Sequence, residues 1–218
     1  MIRIFAGYDE RELQGYETFC ASVKQYASQP IEINRVSGDQ RDGTNAFTYA
    51  RFVIPQLCNY KGWALFMDGS DMLVRADVAE LWALRDDRYA VQVVKHAYQT
   101  KHKRKYIGTA MEADNRDYPR KNWSSLVLWN CAHPENKRIT KEFVRFAGGS
   151  FLHRFAWIPD SLIGELPIEW NWLVGEYPYN ASAKVAHFTL GTPSFPHYQD
   201  CDYSNEWFGV DSFVEIAA

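Results

Sequence analysis

Apolar positions along this chain recur with two different periods, and the two trade places from the first residues onward. Ile2-Arg3-Ile4-Phe5-Ala6-Gly7 reads as a strand closed by a glycine. Leu13, Tyr16, Phe19, Cys20 and Val23 then recur at helical spacing within residues 10–27. Residues 31–36 alternate as a second strand, and the Gly/Asp-rich stretch 37–45 is a loop. A helix begins within 48–57, with Pro55 near its end or kinking it. Trp63-Ala64-Leu65-Phe66-Met67 has the uninterrupted apolar character of a buried central strand, and it stops at Asp68. A helix over 78–84, strands over 89–94 and 125–129, a helix over 135–147 and a strand-like piece over 183–188 complete the pattern. Residues 99–120, polar and basic with Gly108 and Pro119, form a long loop. Such alternation predicts an α/β domain with a mostly parallel central sheet flanked by helices.

Composition narrows the function classes. A net charge of −3 argues against a nucleic-acid partner, which calls for a basic face. The chain contains no apolar run of the ~18 residues that a membrane span needs, and its start turns polar too soon for a signal peptide. Cys20, Cys58, Cys131 and Cys201 lack paired spacing and read as reduced thiols. A cytoplasmic protein is the simplest expectation, and peripheral attachment to a membrane needs no span. Aromatics make up 16 % of the chain, with 8 Trp, which suits either a core or a sugar-lined cleft.

In open α/β sheets ligands bind at the carboxyl ends of strands. That rule selects Ala6-Gly7-Tyr8-Asp9, the turn Asp68-Gly69-Ser70-Asp71, and His96. Two carboxylates on one tight turn repel unless a cation or hydrogen-bond donors lie between them. Mg²⁺ or Mn²⁺ would suit carboxylate oxygens and leave positions open for phosphate. The same turn also reads as aspartates that cap the next helix and face water.

Several segments, in order, resemble glycosyltransferase family 8, the GT-A-fold enzymes that include bacterial lipooligosaccharide galactosyl- and glucosyltransferases and glycogenin. They are the first strand and its turn, Thr48-Tyr49-Ala50-Arg51, the strand and acidic turn from Leu65 through Arg75, Asp77 to Trp82, Asn122-Trp123-Ser124-Ser125 with its apolar strand, and His187-Phe188-Thr189-Leu190-Gly191 with Phe195. The resemblance implies one glycosyltransferase domain over 1–218. A nucleotide and metal half would span 1–98, a basic loop 99–120, and a donor-sugar and acceptor half 121–218. It also implies metal-dependent, retaining transfer of a hexose from a UDP-sugar to a glycan or lipid-linked hydroxyl. By that likeness Asp68, Asp71 and His187 hold Mn²⁺ or Mg²⁺, although His187 alone reads as a core or rim histidine. Ala6, Gly7, Tyr8, Asp9, Thr48, Arg51, Asp68, Ser70 and Gly191 would bind the nucleotide. His96, Asn122, Trp123, Ser124 and Trp157 would meet donor or acceptor sugar, and Asp160 would be the acid between them. Asp160 also reads as a helix cap.

The sequence departs from the family pattern in three places. The acidic pair is Asp68-x-x-Asp71, one residue longer than DxD. No Lys follows His187 within 188–196, where the family has one for the diphosphate. Lys95 and His96 stand where a carboxylate often faces the donor. These departures keep alive a degenerate sugar-binding module on the same scaffold. A nucleotidyltransferase is less well supported, because Gly7-Tyr8-Asp9-Glu10 is not the Gly- and Arg-rich loop such enzymes use. The run Lys101-His102-Lys103-Arg104-Lys105 is either a solvated loop or a contact for an anionic acceptor. Trp123, Trp157, Trp170 and Trp172 are the candidates for a sugar-stacking platform.

Overall fold

A computed structural model describes residues 1–38, 40–43 and 45–210; Asp39 and Thr44 of the expected 37–45 loop, and residues 211–218, lie outside it. In chain order the elements are β1 (Ile2–Gly7), α1 (Leu13–Tyr26), β2 (Ile31–Val36), α2 (Ile54–Leu57), β3 (Trp63–Met67), β4 (Met72–Val74), α3 (Val78–Ala83), β5 (Val91–Val93), β6 (Arg104–Lys105), β7 (Ala113–Asp114), β8 (Leu126–Asn130), α4 (Lys141–Phe146), α5 (Gly149–His153), β9 (Ile163–Glu165), β10 (Trp172–Leu173), β11 (Val185–His187) and α6 (Ser204–Gly209). The central sheet runs β2-β1-β3-β8-β5-β9, and only β8 is antiparallel to its neighbours. This is the mixed α/β architecture the alternation predicts, with β8 inserted between β3 and β5 and β9 added at the edge beside β5.

The period of two along each strand builds a separate core on each face of the sheet. Phe5, Phe66, Val127 and Trp129 join Phe52, Phe155 and Trp157 on one face. Ile4, Leu65, Met67, Leu126 and Leu128 join Phe19, Val23 and Trp170 of the other. A second, smaller sheet, β10-β11-β4, continues from the acidic turn.

Three expected elements differ. The helix expected in 48–57 is a 3-10 turn at Ala50–Phe52 followed by α2. Pro55 lacks an N–H, so it stands in the opening turn of α2, where no donor is needed. The expected helix 135–147 is likewise two pieces, a 3-10 turn at Pro134–Arg138 and α4, because Thr140 caps the second by accepting from the Phe143 amide at 3.0 Å. The 99–120 excursion carries the β6–β7 hairpin, tied across its strands by Arg104 and Asp114 at 3.1 Å.

Helix α1 seats directly on the acidic turn. A Cβ added at Gly15 would lie 2.0 Å from the Ser70 carbonyl oxygen, and farther along α1 the Ser22 hydroxyl accepts from the Val74 amide at 3.1 Å. Gly15→Ala therefore has to lift the helix off the turn. We expect a cost of about 3 kcal/mol and an unfolding midpoint about 10 °C lower. An unchanged midpoint in a thermal melt would show that the contact relaxes freely.

Candidate active site

β3 ends at Met67, and the turn Asp68-Gly69-Ser70-Asp71 carries the chain into β4. β11 pairs antiparallel with β4 so that His187 faces Met72, and the Phe188 amide donates to the Asp71 carbonyl at 2.8 Å. This register delivers the imidazole to the acidic turn; a slip of one residue would turn His187 to the opposite face. One ligand atom from each of Asp68, Asp71 and His187 lies within 4.8 Å of the others, and all three residues are buried. His187 Nε2 is 3.4 Å from Asp71 Oδ2.

Hydrogen bonding sets the tautomer of His187. Asn171 Nδ2 donates to Ser125 Oγ at 2.8 Å and leans toward the Asn122 carbonyl at 3.4 Å, an atom that only accepts. Its Oδ1 therefore faces His187 Nδ1, 2.9 Å away, and must accept from it. In the neutral imidazole Nε2 then carries the lone pair, and it points at Asp71. Asp71 Oδ1 is buried with no hydrogen-bond partner among the described residues. Arg51 Nη1 lies 2.7 Å from Asp68 Oδ1 in a buried ion pair, and its Nε and Nη1 also donate to the Thr48 and Ser124 carbonyls. Burial, with Asp71 adding to it against the pull of Arg51, raises the Asp68 carboxyl to about 7. Two buried carboxylates and an imidazole nitrogen converging on one point fit a divalent cation. Asn171 positions the third ligand. Asn171→Leu should cut divalent-cation affinity by about 10–100-fold. Asn171→Asp, which keeps an oxygen facing Nδ1, should lose less; thermal-shift titration with the cation reads both, and equal affinities would remove Asn171 from the site.

Above this cluster lies a cavity of about 230 Å³. Thr48 and Arg51 form one wall, Asn122 and Ser124 a second, Gly149 and His153 of α5 a third, and Lys105 and Tyr106 the fourth. His153 Nδ1 is 2.7 Å from Ser124 Oγ, and burial, with Arg51 and Lys105 nearby, lowers its pKa to about 3, so this wall is neutral. Lys105 is also pushed down by burial, while Asp71, Asp68 and Glu12 pull it back up. Glu12 is buried with neither carboxylate oxygen bonded among the described residues, and burial together with Asp71, Asp9 and Asp68 raises it well above the usual carboxylate range.

The profile of the Glycosyl transferase family 8 matches residues 6–130, more than half of the chain. "Protein CDI" of Arabidopsis thaliana is 39 % identical over 222 aligned positions, covering 94 % of this chain and 84 % of that protein. The chain belongs to glycosyl transferase family 8. Sugar transfer is therefore its class of activity, and the GT-A fold is shared with solved glycosyltransferases. The apo form of GlyE from Streptococcus pneumoniae TIGR4 superposes with a TM-score of 0.63 at 12 % identity over 98 % of this chain, which spans 60 % of that chain's length. The galactosyltransferase LgtC in complex with donor and acceptor sugar analogs gives 0.60 at 13 % identity, over 96 % of this chain and 95 % of LgtC. A glycosyltransferase involved in glycosylation of the major capsid of PBCV-1 gives 0.57 at 14 %, over 96 % and 99 %. At these identities the likeness is one of fold.

Of the residues singled out in sequence, this family 8 chain gathers Thr48, Arg51, Asp68, Asp71, Asn122, Ser124 and His187 around the cavity. Others lie apart. Phe47 covers Gly7: a Cβ there would be 2.5 Å from its ring. Tyr8 packs edge-on to Tyr16 at 5.1 Å with Arg35 over its face at 4.1 Å. The Asp9 carboxylate accepts from Arg11 and from the Ala46 amide at 2.9 Å. The Ser70 hydroxyl points away from the cavity, accepting from the Asp9 amide at 3.2 Å and reaching the Gly7 carbonyl at 3.3 Å, so it ties the turn to β1. Gly191, at φ 149°, lies under the Tyr198 ring. His96 is buried, 2.9 Å from the Tyr177 hydroxyl, and burial with His187 nearby lowers it to about 3.

The acid and the aromatic platform read from the sequence lie away from this cavity. Asp160 has an 81 % exposed side chain, paired with Arg120 at 2.5 Å, and is not among the residues lining the cavity. It also caps no helix, since Pro159 holds that position. Trp157 is buried and stacks on Trp129 with centroids 6.2 Å apart at 11°. Trp170 is buried in the opposite core. Trp123 donates its Nε1–H to the His96 carbonyl at 2.9 Å, and Trp172 to the Pro178 carbonyl at 2.9 Å. None of the four lines the cavity. The sequence reading missed Tyr106, His153 and Asn171, and took Lys105 only as one member of the basic run 101–105. For Lys105 a signal existed, because side chains alternate along a strand and the outward Arg104 implies an inward neighbour.

Proposed function

We propose that this glycosyltransferase transfers a hexose from a UDP-sugar, in a divalent-metal-dependent and retaining reaction, to a hydroxyl of a glycan or lipid-linked acceptor. The observation that carries the metal is the buried cluster of Asp68, Asp71 and His187, with one ligand atom of each within 4.8 Å of the others and Asp71 Oδ1 without a hydrogen-bond partner among the described residues. Mn²⁺ is the preferred ion, since a mixed carboxylate and imidazole set suits it, with Mg²⁺ the alternative. Retention and the UDP donor rest on the family resemblance. Bound there, the cation would supply Lewis-acid relief of the charge that builds on the departing diphosphate.

The remaining work falls to the chain's own groups. Lys105 and Arg51 are the cationic side chains lining the cavity, and both suit phosphate oxygens. Lys105 would supply the positive charge that is absent from 188–196. Asn122, Ser124 and Thr189 offer hydroxyl and amide groups for orienting sugar hydroxyls. Uridine in the Ala6–Asp9 cradle requires the Phe47 ring to leave Gly7 and the Asp9 carboxylate to release Arg11. No catalytic role is given to Asp160.

The deciding experiment is a panel of UDP-sugars assayed for UDP release with and without Mn²⁺. Release from at least one donor, abolished by chelator, is the expected result. No release from any donor, together with no UDP-induced thermal shift at millimolar ligand, would overturn the assignment and favour a sugar-binding module.

A further inference from the structure

The β6–β7 hairpin brings Lys105 to the cavity wall, and a buried polar cluster outside the cavity ties its open end. Thr100 and Lys101 lead into β6, and Asn115 follows β7. The Asn115 amide donates to the Lys103 carbonyl at 2.8 Å, which closes the ladder at that end. Glu176 arrives there from the turn between β10 and β11; it is 5 % exposed and does not line the cavity. A carboxylate so deeply buried needs donors. The Thr100 hydroxyl donates to Glu176 Oε1, the Lys101 amide donates to Oε2 at 3.3 Å, and Asn115 Nδ2 leans on Oε1 at 3.4 Å.

Each member of the cluster orients the next. Carboxylate oxygens only accept, so the Thr100 proton is directed at Glu176. The Thr100 oxygen then accepts from Asn115 Nδ2 at 2.8 Å and from the His102 amide at 3.2 Å. Asn115 is left presenting Oδ1 to the buried Lys121, whose Nζ donates to it at 2.7 Å. Lys121 precedes Asn122, a residue of the cavity wall. A buried network satisfied in this way holds its backbone in one arrangement. The exposed ion pairs of Arg104 with Glu112 and Asp114 add little to that hold.

The turn that carries Glu176 belongs to the small sheet that delivers His187 to the acidic turn, with Leu173 of β10 opposite His187 of β11. Gly175 takes φ 82° in that turn, and a Cβ there would be 2.7 Å from the Leu190 side chain. Leu190 in turn accepts from the Tyr106 amide at 2.6 Å, and His102 Nε2 lies 3.1 Å from the Gly175 carbonyl. One sheet therefore places the imidazole and grips the hairpin on both sides of Lys105. We infer that Glu176 is a positioning residue for donor binding, fixing the hairpin so that Lys105 stays in the cavity wall. The donor-binding consequence rests on the role proposed for Lys105; the anchoring does not.

Amide hydrogen exchange over 99–116 is followed in the full-length protein, and KM and kcat for UDP release are measured with the donor found in the UDP-sugar panel. Glu176→Ala should speed exchange over 99–116 about tenfold and leave the 63–67 strand unchanged. It should raise the donor KM about tenfold and change kcat by less than about threefold. Thr100→Val keeps the shape of the side chain, removes the hydroxyl donor, and should move both readings the same way by less. Added to Lys105→Met, Glu176→Ala should raise KM no further, whereas a general structural role multiplies the two effects. The inference is overturned if Glu176→Ala leaves exchange over 99–116 as in the parent, or if the KM effects multiply in the double variant. A parental KM in Lys105→Met, with faster exchange in Glu176→Ala, would overturn the donor-binding role through Lys105 and leave the anchor standing.

Discussion

Asp71→Asn should reduce sugar transfer by about 100- to 1,000-fold, an increase of about 3–4 kcal/mol in the barrier, while leaving the cation-free protein at least as stable as the parent. The two halves of this expectation have one cause. Among the described residues Asp71 Oδ1 is buried without a donor, and Oδ2 has only distant partners, Tyr106 Oη at 3.5 Å and His187 Nε2 at 3.4 Å. Without a cation the second charge on the turn is a liability, since Asp71 helps burial raise the neighbouring Asp68 carboxyl to about 7. An amide removes that repulsion, and its N–H₂ can donate to the His187 lone pair. With a cation present, the same change deletes one of two anionic ligands. Thermal melts should therefore show an unchanged or higher midpoint in chelator and loss of the rise that Mn²⁺ plus UDP gives the parent. A variant that still shows that rise would mean the cation, if any, binds elsewhere.

How much of this could be read from the sequence varies with how local the cause is. β1, β3 and β8 were legible because a strand buried on both faces must be a short apolar run, and nothing else in 63–67 or 125–129 competes with that reading. The acidic turn was legible for the same reason, as the place where such a run stops. The helices in 48–57 and 135–147 were legible as helical in character but not in extent. A proline in the first and a capping threonine in the second divide them, and either could have been read as lying inside one longer helix. β9 and β10 are too short to carry a period. They exist because β5 and β11 offer them partners far away in the chain.

Side-chain placement follows the same rule. His187 reaches Asp71 through a register between β4 and β11 that no local pattern encodes, and the family resemblance located it where the residues alone did not. Asp160 lies off the cavity because its partner, Arg120, 40 positions away, holds the carboxylate outward. The tryptophans were ambiguous for a related reason. An aromatic ring serves a core and a sugar cleft equally well, and only the stack of Trp157 on Trp129 decides between them. Asn171 carried no signal, because its function is to hold another residue's tautomer.

Lys105→Met should raise the donor KM by about 10- to 100-fold, with a smaller effect on turnover by the bound complex. Lys105 sits in the cavity wall beside the acidic cluster, and burial already disfavours its charge. Among the described residues none takes a hydrogen bond or a close ion pair from its ammonium, unlike Arg51, which is engaged by Asp68 and two carbonyls. A phosphate oxygen arriving in the cavity would satisfy it, and one charge-assisted hydrogen bond is worth about 1.5–3 kcal/mol. Methionine keeps the length and the packing, so the loss should appear in nucleotide binding rather than in the fold. The free variant should melt no lower than the parent, because a desolvated cation has been removed. Arg104 provides the control. It belongs to the same hairpin strand, points outward, and pairs with Glu112 at 2.7 Å and Asp114 at 3.1 Å. Arg104→Met removes the same formal charge from the same segment but should change KM less than twofold. If the two variants lose affinity equally, the long-range field of the basic hairpin attracts the donor and the inward position of Lys105 is incidental. If only Lys105→Met does, the alternation of the hairpin strand has delivered a phosphate ligand to a site that lacks the family's usual lysine.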